Sequence, residues 1–199
     1  NASETSAFRD VQESSPELES AEFVTKIKEV VDAYHADSWF HSVSMAIYDK
    51  GQTHYLNWSP KATVNENSLY EIGSLSKTFT GLILASMVND GIVHLDTPIK
   101  DLLPKSSSVP KNGGDHITLE HLGTHFSALP RIDPRITSYD PNDPYAHYTL
   151  DLLYDFLASY SLPYSPGERF AYSNLGFGLL GQFLAVKEGI TFQKLLEKV

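Results

Sequence analysis

Only two stretches of this chain carry the pattern of a β-strand, and that shortage limits the architectures open to it. Residues 43–49 read as a buried strand, Lys50-Gly51 as a turn, and residues 52–58 as the returning strand of a hairpin. The remaining regular patterns are helical. Phe23, Ile27, Val30, Val31 and Tyr34 recur at helical spacing, and a helix is expected from Ser74 to Asn89, ended by Asp90-Gly91. Thr118 opens a short helix through Leu122 with Glu120 in its first turn, Thr149 caps another over residues 150–159, and a Gly-studded helix follows over 175–187. Gly189 separates that helix from a last one starting at Thr191. A hairpin alone does not build a stable sheet. The missing strands are therefore expected to lie in sequence outside this chain. The expected organisation is a mobile tail over residues 1–20, rich in Ser and Glu, then one partial domain over 21–199. Within it, residues 21–72 hold a helix and the hairpin, and 73–199 the helical region.

Composition removes several function classes. The chain has 199 residues and a formal net charge of −10, which argues against nucleic acid or an anionic membrane as the main partner. It has no cysteine, so disulfides, thiol nucleophiles and thiolate metal sites are excluded. No apolar run approaches the roughly 20 residues a membrane span requires. Asn1-Ala2 reads as a cloning remnant and a signal peptide is expected to have been trimmed, so a periplasmic or secreted location is the expectation, with the cytoplasm left open. Residues 130–147, with four prolines and three aspartates, read as a long irregular surface loop.

The chemistry concentrates at Glu71-Ile72-Gly73-Ser74-Leu75-Ser76-Lys77. A serine hydroxyl attacks poorly until one group takes its proton and others stabilise the oxyanion. At a helix start, free backbone N–H groups and the helix dipole favour negative charge at Ser74. Lys77, three residues on, shares its helical face. A partly desolvated lysine near other cations can lose its proton near neutral pH. The bland alternative makes Ser74 an N-cap and Lys77 a surface charge, and Ser-x-x-Lys arises by chance about once per chain of this kind. A second copy, Ser108-Val109-Pro110-Lys111, is such noise, because proline between its members prevents a helix from aligning them. Lys77 instead breaks a local rule: a serine cap prefers Glu or Gln three residues on, and a lysine there sets positive charge at the positive end of the dipole.

The run Tyr70-Glu-Ile-Gly-Ser-Leu-Ser-Lys-Thr-Phe-Thr-Gly81 resembles the first motif of the class C β-lactamase and DD-peptidase family, which uses Ser-x-x-Lys as nucleophile and proton handler. Asp90-Gly91 through Leu95-Asp96-Thr97-Pro98 and residues 117–129 resemble the family's following segments, the latter its His-Leu-Leu-Thr-His-Thr-Ser-Gly-Leu stretch. Residues 166–174, Pro-Gly-Glu-Arg-Phe-Ala-Tyr-Ser-Asn, are similar to the loop with its second motif, Tyr-x-Asn. The matches run in order over about residues 40–199. The resemblance implies an α/β fold of the α+β type, a β-lactamase/transpeptidase-like mixed antiparallel sheet flanked by helices with a helical region, whose C-terminal strands are missing from this chain. It also implies that Tyr172 lies beside Ser74 and Lys77, with Asn174 donating to a substrate amide and bonding to the lysine. It leaves open whether Lys77 or Tyr172 takes the Ser74 proton. The bland alternative buries Tyr172 in the core and makes Asn174 a helix cap.

His121 and His125 stand four apart, but Leu122 occupies the place where a zinc protease needs Glu, so no metal is expected. No cofactor is implied. Gly113-Gly114 reads as a turn, lacking the context of a phosphate loop. The family's third motif, Lys-Thr-Gly or His-x-Gly on a cleft strand, matches nothing here; Lys187-Glu188-Gly189 sits between helices. Sequence beyond Val199, or a second chain, is expected to complete the site. Ala128 stands in place of a family Gly and Ser59-Pro60 in place of a Gly-rich turn, which bears on loop shape. The expected function is acyl transfer to Ser74 from a β-lactam, a D-amino-acid peptide or an ester, then hydrolysis, with a small molecule or peptide as substrate. The rival is a non-catalytic penicillin-binding or assembly module that keeps the fold.

Overall fold

The computed structural model describes residues 22–36, 42–49, 51–59, 63–65, 67–136, 143 and 145–199. The expected tail over residues 1–20 lies outside them. The chain divides into two compact units, Asn1–Glu71 and Ile72–Val199.

The first unit contains helix α1 (Glu22–Ala36) and a hairpin of β1 (Val43–Asp49) and β2 (Gln52–Trp58). The strands pair antiparallel from Val43 opposite Trp58 to Asp49 opposite Gln52. That register leaves two positions between the strands, and Gly51 adopts φ +85°, where a side chain would be strained. Ser44 Oγ donates to Asn57 Oδ1 across the pair at 2.8 Å, and the Tyr70 hydroxyl donates to Ser42 Oγ at 3.1 Å. Among the described residues this is a two-stranded sheet.

The second unit is helical. A 3-10 turn (Gly73–Leu75) leads directly into α2 (Ser76–Asn89), which buries Thr80, Ile83, Leu84 and Met87 on one stripe. Then come α3 (Leu119–Gly123), α4 (Leu150–Ser159), α5 (Asn174–Glu188) and α6 (Phe192–Leu196). α5 is apolar on most of its surface, burying Leu175, Leu179, Leu180, Phe183 and Leu184, as a helix at the centre of a core must. Ile83, Ile99, Ile117, Leu119, Leu122, Leu129 and Leu157 complete the core around it. Gly181 lets α6 approach α5 closely, since a Cβ there would lie 3.0 Å from the Phe192 ring. Gly189, in the left-handed region at φ +68°, ends α5 as its C-terminal cap. Backbone bonds pin the shorter connections, such as Ile99 N–H to the Ile117 carbonyl at 2.9 Å and Lys111 N–H to the Tyr160 carbonyl at 2.8 Å.

Two expectations are corrected. The nucleophile helix does not begin as α-helix at Ser74; the first turn winds as 3-10, with Gly73 at φ +53°. Nor is the 130–147 stretch a solvated loop throughout its described part. The Asp133 carboxylate is fully buried and Ile136 nearly so. Asp133 accepts bidentate hydrogen bonds from the Arg135 guanidinium (2.7–3.1 Å), one from the Arg135 N–H (2.9 Å) and one from the Tyr148 hydroxyl (3.0 Å). Arg135 also donates to the Leu152 carbonyl in the first turn of α4 at 2.9 Å. The cost of burying the carboxylate is offset by donors supplied from the same segment, a pairing that composition and spacing do not reveal.

Candidate active site

Gly73 and the 3-10 turn set Ser74 at the head of α2, and the following turn carries Lys77 on the same face. Tyr172, on the extended segment that enters α5, and Asn174, the first residue of α5, arrive from the other end of the unit. Ser173 between them is the true N-cap of α5: its buried Oγ accepts from the Gly176 N–H at 2.8 Å and donates to the Pro130 carbonyl at 2.6 Å. Because Ser173 faces inward, its two neighbours turn outward. The Asn174 and Leu175 N–H groups are received by the Arg131 carbonyl at 2.9 and 3.2 Å.

The structure brings all four expected residues together. The Tyr172 hydroxyl donates to Ser74 Oγ at 2.7 Å. Lys77 Nζ donates to Ser74 Oγ at 3.2 Å and to Asn174 Oδ1 at 2.8 Å. These contacts exclude the bland readings one by one. Ser74 Oγ bonds to Tyr172 and Lys77, and caps no helix N–H. Asn174 is the first residue of α5 with its side chain turned to Lys77, and Tyr172 is half-buried at the surface of the unit.

The electrostatics follow from this geometry. The hydrogen bond from Lys77, then that with Ser74, hold the Tyr172 phenol below its ordinary value near 10, outweighing the opposing effect of burial. The charges of Lys77 and Arg131 act in the same direction, with the Arg131 guanidinium 5.2 Å from the Tyr172 ring centroid. Lys77 Nζ lies 4.9 Å from the Tyr172 centroid and 5.7 Å from that of Phe177.

His125 supports Tyr172 from behind. The two ring centroids are 4.4 Å apart, and Phe177 and Phe170 contact the imidazole at 4.9 and 5.7 Å. His125 Nδ1 accepts from the Ser173 N–H at 3.1 Å, and its carbonyl accepts from the Ala171 N–H at 2.8 Å. Burial, then the nearby Lys77 charge, keep the imidazole below its usual 6.5, so it sits neutral as an acceptor. Its backbone is left-handed at φ +64°, as is that of Ala128 at φ +61°, where the family has Gly. His121 serves the fold instead. Its Nδ1 accepts from the Thr118 N–H at 3.2 Å while Thr118 Oγ1 accepts from the His121 N–H, a capping box with histidine in the usual Glu place. Neither histidine is presented to a shared metal, and no group of three or more His, Cys, Asp or Glu residues suited to a metal ion occurs among the described residues. No helix among the described residues is long and apolar enough to cross a membrane.

Arg131, His125 and Phe177 around Tyr172 escaped sequence reasoning. The histidine carried the one usable signal, its place in a segment already resembling the family's; Arg131 and Phe177 carried none, since their nearness to Tyr172 is purely tertiary.

A serine, a lysine, a tyrosine and an asparagine thus converge on the head of α2, all four within the second unit. The Beta-lactamase family model matches residues 27–199, and the chain belongs to that family. It is 31% identical over 180 residues to the D-alanyl-D-alanine-carboxypeptidase/endopeptidase AmpH of Escherichia coli K12, covering 85% of this chain and 46% of that protein. It is 28% identical over 184 residues to a beta-lactamase of Pseudomonas fluorescens, covering 87% and 48%. A crystallised beta-lactamase/D-alanine carboxypeptidase of Yersinia pestis superposes with a TM-score of 0.72 at 27% identity, over 89% of this chain and 53% of that one. The chain thus spans about half the length of the relatives it matches, and its fold is β-lactamase/transpeptidase-like.

Proposed function

We propose that Ser74 is the nucleophile of an acyl-transfer reaction on an amide, lactam or ester, with Tyr172 as its general base. The observation that carries this reading is the 2.7 Å bond between the Tyr172 hydroxyl and Ser74 Oγ, made by side chains 98 positions apart. A phenol held below its ordinary value by Lys77 supplies phenolate to accept a proton at that distance. In the first step Ser74 Oγ attacks the substrate carbonyl carbon while its proton passes to Tyr172 Oη. The tetrahedral oxyanion forms near the head of α2, where backbone N–H groups and the dipole oppose its charge. Collapse breaks the carbonyl carbon–nitrogen or carbon–oxygen bond, and the leaving group takes the proton from Tyr172. Water then attacks the acyl-serine, giving one proton to Tyr172, and Ser74 is regenerated. Lys77 stabilises the phenolate and, by its hydrogen bond to Asn174 Oδ1, fixes the Asn174 amide so that its NH2 faces a substrate carbonyl.

Residues 21–72 and 73–199 are read as two parts of one catalytic domain, with a third motif contributed by sequence outside this chain or by a second chain. The rival reading is a penicillin-binding module, a sensor that acylates at Ser74 and deacylates slowly. The substrate is a small molecule or peptide, and a periplasmic or secreted location goes with the reading. Intact-mass spectrometry of the 199-residue chain and of the full-length protein, after incubation with a penicillin and with a fluorophosphonate, tests it. A single adduct on Ser74, lost in Ser74→Ala, supports the nucleophile, and the adduct's decay rate separates hydrolase from sensor. No adduct with either probe on the full-length protein removes the enzymatic reading.

A further inference from the structure

The peptide groups on either side of Tyr172 are both held by one residue. The Ala171 N–H donates to the His125 carbonyl at 2.8 Å, and the Ser173 N–H donates to His125 Nδ1 at 3.1 Å. The imidazole also lies against the Tyr172 ring, with centroids 4.4 Å apart and planes inclined by 34°. Phe177 and Phe170 pack on the same imidazole at 4.9 and 5.7 Å. His125 makes these contacts from a left-handed backbone at φ +64°, which is uncommon for a residue with a side chain, and such departures concentrate at functional sites. The cap of α5 is made by Ser173 Oγ, so the helix start does not itself require the imidazole.

The geometry points to His125 as the positioning residue of Tyr172, acting through Nδ1 to hold the phenol where it meets both Ser74 and Lys77. The inference rests on the reading of Tyr172 as the base of Ser74 acylation. Two requirements meet on that phenol: its hydroxyl stays 2.7 Å from Ser74 Oγ, and its ring stays near Lys77, whose Nζ is 4.9 Å from the centroid. Both partners reach Tyr172 through the ends of rotatable side chains, so they do not by themselves fix it. A misplacement of about 1 Å can cost about 10²-fold in rate. Bonds to both flanking peptides and a ring against its face hold Tyr172 to that tolerance, through a residue itself locked by packing. Among the described residues, the charges facing the pair are Lys77 of α2 and Arg131, whose guanidinium lies 5.2 Å from the Tyr172 centroid. Burial and Lys77 keep the imidazole neutral, which leaves the Nδ1 lone pair free to accept.

Two variants matched in backbone tolerance provide the test. Gly and Asn both adopt a left-handed φ readily, so His125→Gly and His125→Asn leave the chain unstrained there. Asn Oδ1 falls near the place of Nδ1 and accepts from the Ser173 N–H, whereas Gly offers neither acceptor nor ring. In the full-length protein, the second-order rate of Ser74 labelling by a fluorophosphonate is followed by intact mass. The Tyr172 phenol is titrated by tyrosinate absorbance, each protein being compared with its Tyr172→Phe counterpart. His125→Gly should label about 10²-fold more slowly than wild type, with the phenol titrating closer to its ordinary value near 10. His125→Asn should regain at least about tenfold of that loss and return the phenol toward its wild-type titration. A histidine that only braced the fold would lower the urea midpoint of both variants and leave the phenol of the folded protein unmoved. Labelling of His125→Gly within about threefold of wild type overturns the proposal. So does His125→Asn labelling no faster than His125→Gly, or a slower rate with an unmoved phenol. Failure of the wild type to label overturns the catalytic reading instead. The titration then decides alone: a phenol raised in His125→Gly and returned in His125→Asn supports the positioning role, and an unmoved phenol rejects it.

Discussion

Replacing Asp133 with alanine tests whether a buried ionic clamp holds the floor of the site. The clamp fixes residues 130–136, and the Arg131 carbonyl in that segment receives the N–H groups of Asn174 and Leu175. The magnitude follows from what each partner loses. The Arg135 N–H at 2.9 Å and the Tyr148 hydroxyl at 3.0 Å each lose a bond to a charged acceptor, about 1–1.5 kcal/mol apiece. The Arg135 guanidinium is 40% exposed and regains water, so the bidentate pair contributes only about 1 kcal/mol, well short of the roughly 3–5 typical when a fully buried pair is broken. The expected loss is about 3–4 kcal/mol for Asp133→Ala at pH 7, measured as a lower urea midpoint with an unchanged slope. Burial raises the Asp133 pKa, but hydrogen bonds from Arg135 and Tyr148 outweigh it and leave the carboxyl below its usual value. A carboxyl depressed in the folded state stabilises above its unfolded value near 3.9 and loses that contribution as pH falls through the folded one. The gap between wild type and Asp133→Asn should therefore be constant from about pH 5 upward and shrink on acidification. A loss under about 1 kcal/mol at pH 7, or a gap that grows toward pH 3, would refute the reasoning.

Tyr172→Phe should slow acylation of Ser74 by about 10²–10⁴-fold, as removal of a general base does, with stopped-flow burst kinetics as the readout. Because Lys77 holds the phenol below its ordinary value, acylation should rise with pH through that depressed pKa, and Lys77→Met should move the rise to higher pH. Ser173→Ala removes the α5 cap and orphans the Pro130 carbonyl, and should cost about 2–3 kcal/mol in chemical denaturation. His125 takes its proton in the unfolded chain near 6.5 and in the folded chain only at lower pH, so the melting temperature should fall as pH drops below 6.5, and His125→Phe should flatten that decline. Gly167→Ala places a Cβ at φ +84° and 3.2 Å from His121 Nε2, and should cost about 1–2 kcal/mol on a thermal melt.

Much of this molecule is written locally, and those parts were legible. The hairpin is set by alternating residues on either side of a short connection with Gly51 at positive φ, so its register needs no information from elsewhere. The caps at Thr118, Thr149 and Thr191 and the stop at Gly189 each depend on residues within four positions. Ser74 and Lys77 belong to the same category, because one turn of helix suffices to align them. Tyr172 and Asn174 were legible only through the family resemblance, since nothing local to them speaks of a lysine nearly a hundred residues away.

What the sequence by itself determined is the set of elements and the pairing of Ser74 with Lys77 on one helical face, through short-range backbone chemistry and hydrophobic period. Tertiary structure alone decided which groups surround them: Arg131 and His125 on the Tyr172 ring, and Asp133 buried beneath its own Arg135. These depend on how α5 meets the segments before it, and packing between distant residues leaves no mark in local spacing.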